Sequence, residues 1–106
     1  MSAADRIEAL ERAFREKSVS KHPSLLLLNA NDALDFLGAG LAQGLSLAGV
    51  EGFRVTDSGA FQPLQDFSND RAEYEGMTAD FVRDTEELIK RGAGAGIHFE
   101  VVFDSG

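Results

Sequence analysis

From Ile97 to Asp104 the chain has a two-residue period. Ile97, Phe99, Val101 and Phe103 occupy every second position, and His98, Glu100, Val102 and Asp104 fill the positions between. Side chains on an extended strand point alternately to its two sides, so this segment predicts a half-buried β-strand with one apolar face. Such a strand needs a partner to satisfy its backbone and a second layer to cover its apolar side. The rest of the chain must supply both.

The partner is legible between Leu45 and Leu64. Phe53 and Val55 alternate with Arg54 and Thr56, Asp57-Ser58-Gly59 has turn chemistry, and Ala60-Phe61-Gln62 returns. This predicts a β-hairpin. Pro63 lacks an N–H and marks a strand end or an edge. Gly49 and Gly52 predict a bulge or a close backbone approach, with Glu51 presented outward and Phe53 inward. Asp66-Phe67-Ser68-Asn69-Asp70 then reads as a polar connection carrying one apolar ring.

Helices supply the second layer. Ser2 and Asp5 resemble a capping box, and Ala3, Ile7, Leu10 and Phe14 form one stripe, with the helix ending near Lys17. Leu25-Leu26-Leu27-Leu28 suits either a short buried strand or the apolar approach to a second helix. Asn31 is the expected N-cap of that helix, which carries Leu34, Leu37, Leu41 and Leu45, with Gly44 near its end. A third helix starts at Thr78 or nearer Asp70, turns Phe81, Val82, Thr85, Leu88 and Ile89 inward, and stops at Gly92. The expected fold is a single α+β domain over residues 1–106, with about three helices on one face of a small, mainly antiparallel sheet of three to four strands.

Charge limits what such a domain binds. Eighteen acidic side chains face ten basic ones, for a net charge of −8. From Met1 to His22 the five bases Arg6, Arg12, Arg15, Lys17 and Lys21 exceed the four acids Asp5, Glu8, Glu11 and Glu16, so the segment is +1 and everything after it is −9. That field repels phosphate backbones and anionic lipid and attracts cationic partners. Nucleic acid and membrane are therefore not expected as partners. The longest apolar run, Leu25–Leu28, is far too short to span a bilayer, and no signal peptide is read at Met1-Ser2-Ala3-Ala4-Asp5-Arg6, so the expected location is cytoplasmic.

Catalytic signatures are sparse. The chain has no cysteine, which removes disulfides, thiolate nucleophiles and thiolate metal ligands. Gly92-Ala93-Gly94-Ala95-Gly96 leaves a helix and enters a strand, the reverse of the order that points a helix N-terminus at a phosphate. His98 and Glu100 share the polar face of the last strand, a pairing suited to proton transfer. Metal binding needs further ligands at a spacing the sequence does not provide, so neither metal nor cofactor is expected. Serine lies in no nucleophile elbow, and no EF-hand spacing occurs.

Gly49-Val50-Glu51-Gly52-Phe53, followed by Gly59, Pro63 and Asp66-Phe67-Ser68 and preceded by the helical Ala33-Leu34-Asp35-Phe36, resembles a pattern in small bacterial proteins of unknown function. The resemblance covers about half of the chain. It implies a compact α+β domain without an assigned reaction. Some similar small acidic proteins sit in toxin–immunity contexts. It carries no catalytic residue onto this sequence.

Two functional expectations follow. The first is a non-enzymatic, immunity-like module that binds a basic protein partner through Glu51, Asp66, Asp70, Glu73, Glu75 and Asp84. The alternative is a small-molecule-binding protein or small enzyme using His98, Glu100 and Arg54. A sheet of few strands leaves open edges, and a homodimer through such an edge is compatible with either.

Overall fold

A computed structural model describes residues 2–22, 24–74 and 78–104. The elements run α1 (Ala3–Phe14), α2 (Ala30–Ala42), β1 (Ser46–Val55), β2 (Phe61–Asp70), α3 (Thr78–Ala93) and β3 (His98–Asp104), with short 3₁₀ turns at Arg15–Lys17 and Arg71–Tyr74. The three strands form one antiparallel sheet in the order β2-β1-β3. The fold is α+β, as the alternation and the helical stripes require.

β1 and β2 are joined by a tight hairpin. Gly59 N–H donates to the Thr56 carbonyl at 2.9 Å and Thr56 N–H to the Ala60 carbonyl at 2.8 Å, which closes a three-residue loop at Asp57–Gly59. Gly59 takes φ +84°, which L side chains rarely adopt. Stepping by two from the Thr56–Ala60 pair, the backbone groups of Phe61 and Pro63 face the open edge of β2, where a missing N–H breaks no ladder bond.

β2 continues past this point to Asp70, so Asp66–Asp70 is strand and not the polar connection its composition indicates. The register explains the misleading pattern. Val50 pairs with Asn69 and Gly52 with Leu64, so Glu51 alone stands opposite Gln65, Asp66, Phe67 and Ser68. This wide bulge breaks the two-residue period. Ser68 Oγ closes it by donating to the Leu64 carbonyl at 2.9 Å, and Arg91 Nη2 from α3 donates to the Asp66 carbonyl at 3.0 Å. Phe67 folds back towards β1, where a Cβ on Gly52 would stand 2.6 Å from its own. Only glycine permits that approach. A second irregularity lies at Ala48, the extra β1 residue between the Leu47–Phe103 and Gly49–Val102 pairs.

One face of the sheet carries the core. Val50, Phe99, Val101 and Phe103 pack with Phe36 and Leu37 of α2 and Phe81, Leu88 and Ile89 of α3. α1 joins through Leu10 and an edge-on contact of Phe14 with Phe36, ring centroids 5.3 Å apart. Leu25–Leu28 is neither a full strand nor part of α2: it forms a single bridge, Leu28 with Phe99, which covers part of the free edge of β3.

Three local expectations are corrected. Asn29, not Asn31, caps α2, its Oδ1 accepting the Asp32 N–H at 2.8 Å; either asparagine has the chemistry, and the bridge at Leu28 fixes where the chain turns helical. Gly92 does not stop α3, which runs on through Ala93; Gly92 is where the helix passes over Phe99, whose Cζ would lie 2.5 Å from an added Cβ. Phe53 and Glu51 do not face opposite sides, since residues two apart on a strand share a face. Both lie on the side away from α2 and α3, and Phe53 is buried there beside His98, its partner across β1–β3. The segment before α3, Glu75-Gly76-Met77, lies outside the described residues, as does Glu75 as a candidate binding residue.

Candidate functional site

The sheet face turned away from α2 and α3 gathers the most unusual electrostatics. Directly paired residues of antiparallel strands share a face. Glu51 pairs with Glu100, Phe53 with His98, and Gly49 with Val102. Two carboxylates therefore stand opposite each other across β1–β3. The register of the Leu28–Phe99 bridge sets Leu27 on the other flank of Glu100, and Leu27 is 0% exposed. Glu100 is thus held between an aliphatic side chain and a like charge.

Its acidity reflects this. Burial raises the Glu100 pKa above the ordinary glutamate value, and the charges of Glu51 and of Glu11 on α1 add to the rise. No hydrogen bond or ion pair engages Glu100 among the described residues. Bases on the surrounding elements have other partners: Arg71 donates to Asp104 at 2.6 Å and to the Leu47 carbonyl at 3.3 Å, Arg12 to Glu8 at 3.0 Å and Arg15 to the Leu25 carbonyl at 3.2 Å.

Two open depressions adjoin the pair. One, of about 210 Å³, is lined by Gly49, Glu51, Asn69, Asp70, Glu100 and Val102, together with Ala48 and Val50. The other, of about 410 Å³, lies where the β2 bulge leaves room and is lined by Glu51, Gln65, Ser68, Asn69, Asp70 and Glu73. Val102 is 44% exposed at the rim. Of the acids expected to form a binding surface, Glu51, Asp70 and Glu73 come together here.

The others do not join them. Asp66 lies in a separate recess with Arg54, Pro63 and Phe67. Asp84 is held on α3, accepting from the Tyr74 hydroxyl at 2.9 Å and ion-pairing with Arg83 at 3.6 Å. That contact belongs to a partly buried network in which Asn69 Nδ2 donates to Tyr74 Oη at 3.1 Å and to Thr85 Oγ1 at 3.3 Å. Asn69 lowers the Tyr74 pKa, but burial, the bond to Asp84 and the charges of Asp84 and Glu73 outweigh it, so the net shift is upward. The network ties the end of β2 to α3 and fixes the wall of both depressions.

His98, Glu100 and Arg54 are not brought together as a group. His98 and Glu100 share the outer face, whereas Arg54 follows Phe53 and so points to the other side. His98 Nδ1 is buried without a hydrogen-bond partner among the described residues, and His98 lines neither depression. Among the described residues no group of three or more His, Cys, Asp or Glu side chains is placed to hold a metal ion. None of the described helices is long and apolar enough to cross a membrane.

Sequence reasoning missed the opposition of Glu51 and Glu100. The alternation of Ile97–Asp104 puts Glu100 on the polar face, but its neighbour on β1 depends on a register that no local signal sets. No family model matches the chain, and neither a curated protein nor a solved structure is significantly similar to it.

Proposed function

We propose that this protein is a non-enzymatic binding module that docks a basic protein partner on the outer face of its sheet. The observation that carries this reading is the Glu51–Glu100 pair, half-buried, directly opposed and, among the described residues, without a base of its own. Like charges directly opposite on neighbouring strands destabilise a sheet, and a cationic side chain from a partner relieves that cost. Asp70 and Glu73 extend the negative potential along the bulge, and Val102 offers apolar contact beside it. Such a surface suits a segment in which arginine or lysine alternates with aliphatic residues. An immunity protein that masks a basic toxin is one concrete form, supported by the resemblance carried by Gly49–Phe53 and Asp66–Ser68.

The test is an NMR titration of the protein with a synthetic peptide of alternating arginine and valine, and with its glutamate–valine counterpart. Amide shifts centred on Glu51, Asp70, Glu73, Glu100 and Val102, seen only with the basic peptide and lost at about 0.5 M salt where screening acts over a few ångströms, support the proposal. Shifts confined to the acids of α3, or none, refute it.

A further inference from the structure

Glu100 is a titratable group for which the docking reading alone gives no pH dependence. The charged groups around it are mainly acidic, and the bases near them have other partners: Arg71 pairs with Asp104, Arg12 with Glu8, and Arg15, which shares a surface recess with Glu11, donates to the Leu25 carbonyl. β1 contributes Glu51 directly opposite, α1 contributes Glu11, and Asp70 and Glu73 border the adjoining depressions from the β2 end. His98 stands two residues along β3 on the same face. Leu27, fully buried on the remaining flank, excludes water from that side.

We propose that Glu100 is a proton-binding site of the free protein, so that the pairing of β1 with β3 tightens as the solution turns mildly acidic. A carboxylate so placed has two ways to lose its unfavourable interactions: take up a proton or meet a cation. The sign follows from linkage. The folded chain holds this proton to higher pH than the unfolded chain does, so the unfolded chain binds fewer protons in that window and stability falls as pH rises through it. The penalty is fully present above the raised pKa of the folded chain and disappears below the ordinary glutamate range. On the reading of the outer face as a docking surface, the proton and the basic partner compete for Glu100, and binding weakens as pH falls.

The test begins with the free protein. Carboxyl-carbon NMR titration of all glutamates is expected to give Glu100 a midpoint above the others, in wild type and in a His98→Gln background. Glu51→Gln is expected to bring that midpoint down. Glu100→Gln is expected to raise Tm at pH 7 by a few degrees, on the order of 1–5 °C, with the difference vanishing at pH 4. A Glu100 midpoint among those of the other glutamates, or a Glu51→Gln variant that leaves it unmoved, overturns the proposal. These readouts need no partner, so failure of the basic peptide to bind refutes the docking reading and leaves the proton site standing. An ordinary Glu100 titration refutes the proton site, whatever the peptide does.

Discussion

Gly38 and Gly40 lie two residues apart in the C-terminal half of α2, and alanine at the first should stabilise while alanine at the second should not. Both substitutions carry the same intrinsic helix gain, about 1 kcal/mol in each case. At Gly38 an added Cβ meets nothing within 4 Å. The gain is realised in full, and for a domain of this size Tm should rise by about 4–8 °C. At Gly40 the Cβ would collide with the Phe103 ring, with Cε1 at 2.7 Å and two further ring carbons closer still. Phe103 cannot swing clear, because it is buried and packed against Phe36, ring centroids 5.5 Å apart. Overpacking of this kind costs about 1–3 kcal/mol. Subtracting one variant from the other cancels the helix term, so Gly40→Ala should be about 1–3 kcal/mol less stable than Gly38→Ala. Urea unfolding followed by circular dichroism, with the slopes compared to confirm a common unfolded state, measures this directly. Equal stabilisation by both alanines would refute the claim that α2 is seated on β3 through the missing side chain at Gly40. The contact matters beyond stability, since the opposite face of β3 presents Glu100.

Asn29→Ala should cost about 1 kcal/mol through loss of the cap on Asp32 N–H, while Asn31→Ala, one residue inside the helix, should be nearly neutral; thermal melts of both distinguish the two caps. Asn69→Ala removes the amide that holds Tyr74 down and leaves Thr85 Oγ1 buried without that donor. The expected results are a further rise in the Tyr74 pKa, read by phenolate absorbance of the chain's one tyrosine, and a loss of about 1–3 kcal/mol. An unmoved phenolate titration would sink the account of that network. Ser68→Ala should loosen the β2 bulge by about 1 kcal/mol, and faster hydrogen exchange confined to residues 64–69 is the expected sign.

The sequence by itself determined the elements whose signals are local. The two-residue period of Ile97–Phe103, the 3.6-residue stripe of Phe81–Ile89, the Ser2 cap and the Asp57-Ser58-Gly59 turn each depend on residues within a few positions of one another, and each stands where its pattern puts it. Net charge was equally plain, because it is a sum and needs no geometry. The candidate site was legible only in part, with Glu51, Asp70 and Glu73 recognisable as acids and Glu100 as the exposed-side residue of a strand. Tertiary structure alone decided that Glu51 and Glu100 are neighbours. β1 and β3 are joined through a second strand and a helix, so their register is set by how Phe99, Val101 and Phe103 fit against α2 and α3, and by the extra residue at Ala48. It also decided the bulge at Gln65–Ser68, which exists because Gly52 lets Phe67 fold onto the strand while Arg91 holds the backbone from outside. Local preference fixes which way a side chain points along its own strand, whereas the charge it meets across the sheet is fixed by packing between parts of the chain that are distant in sequence.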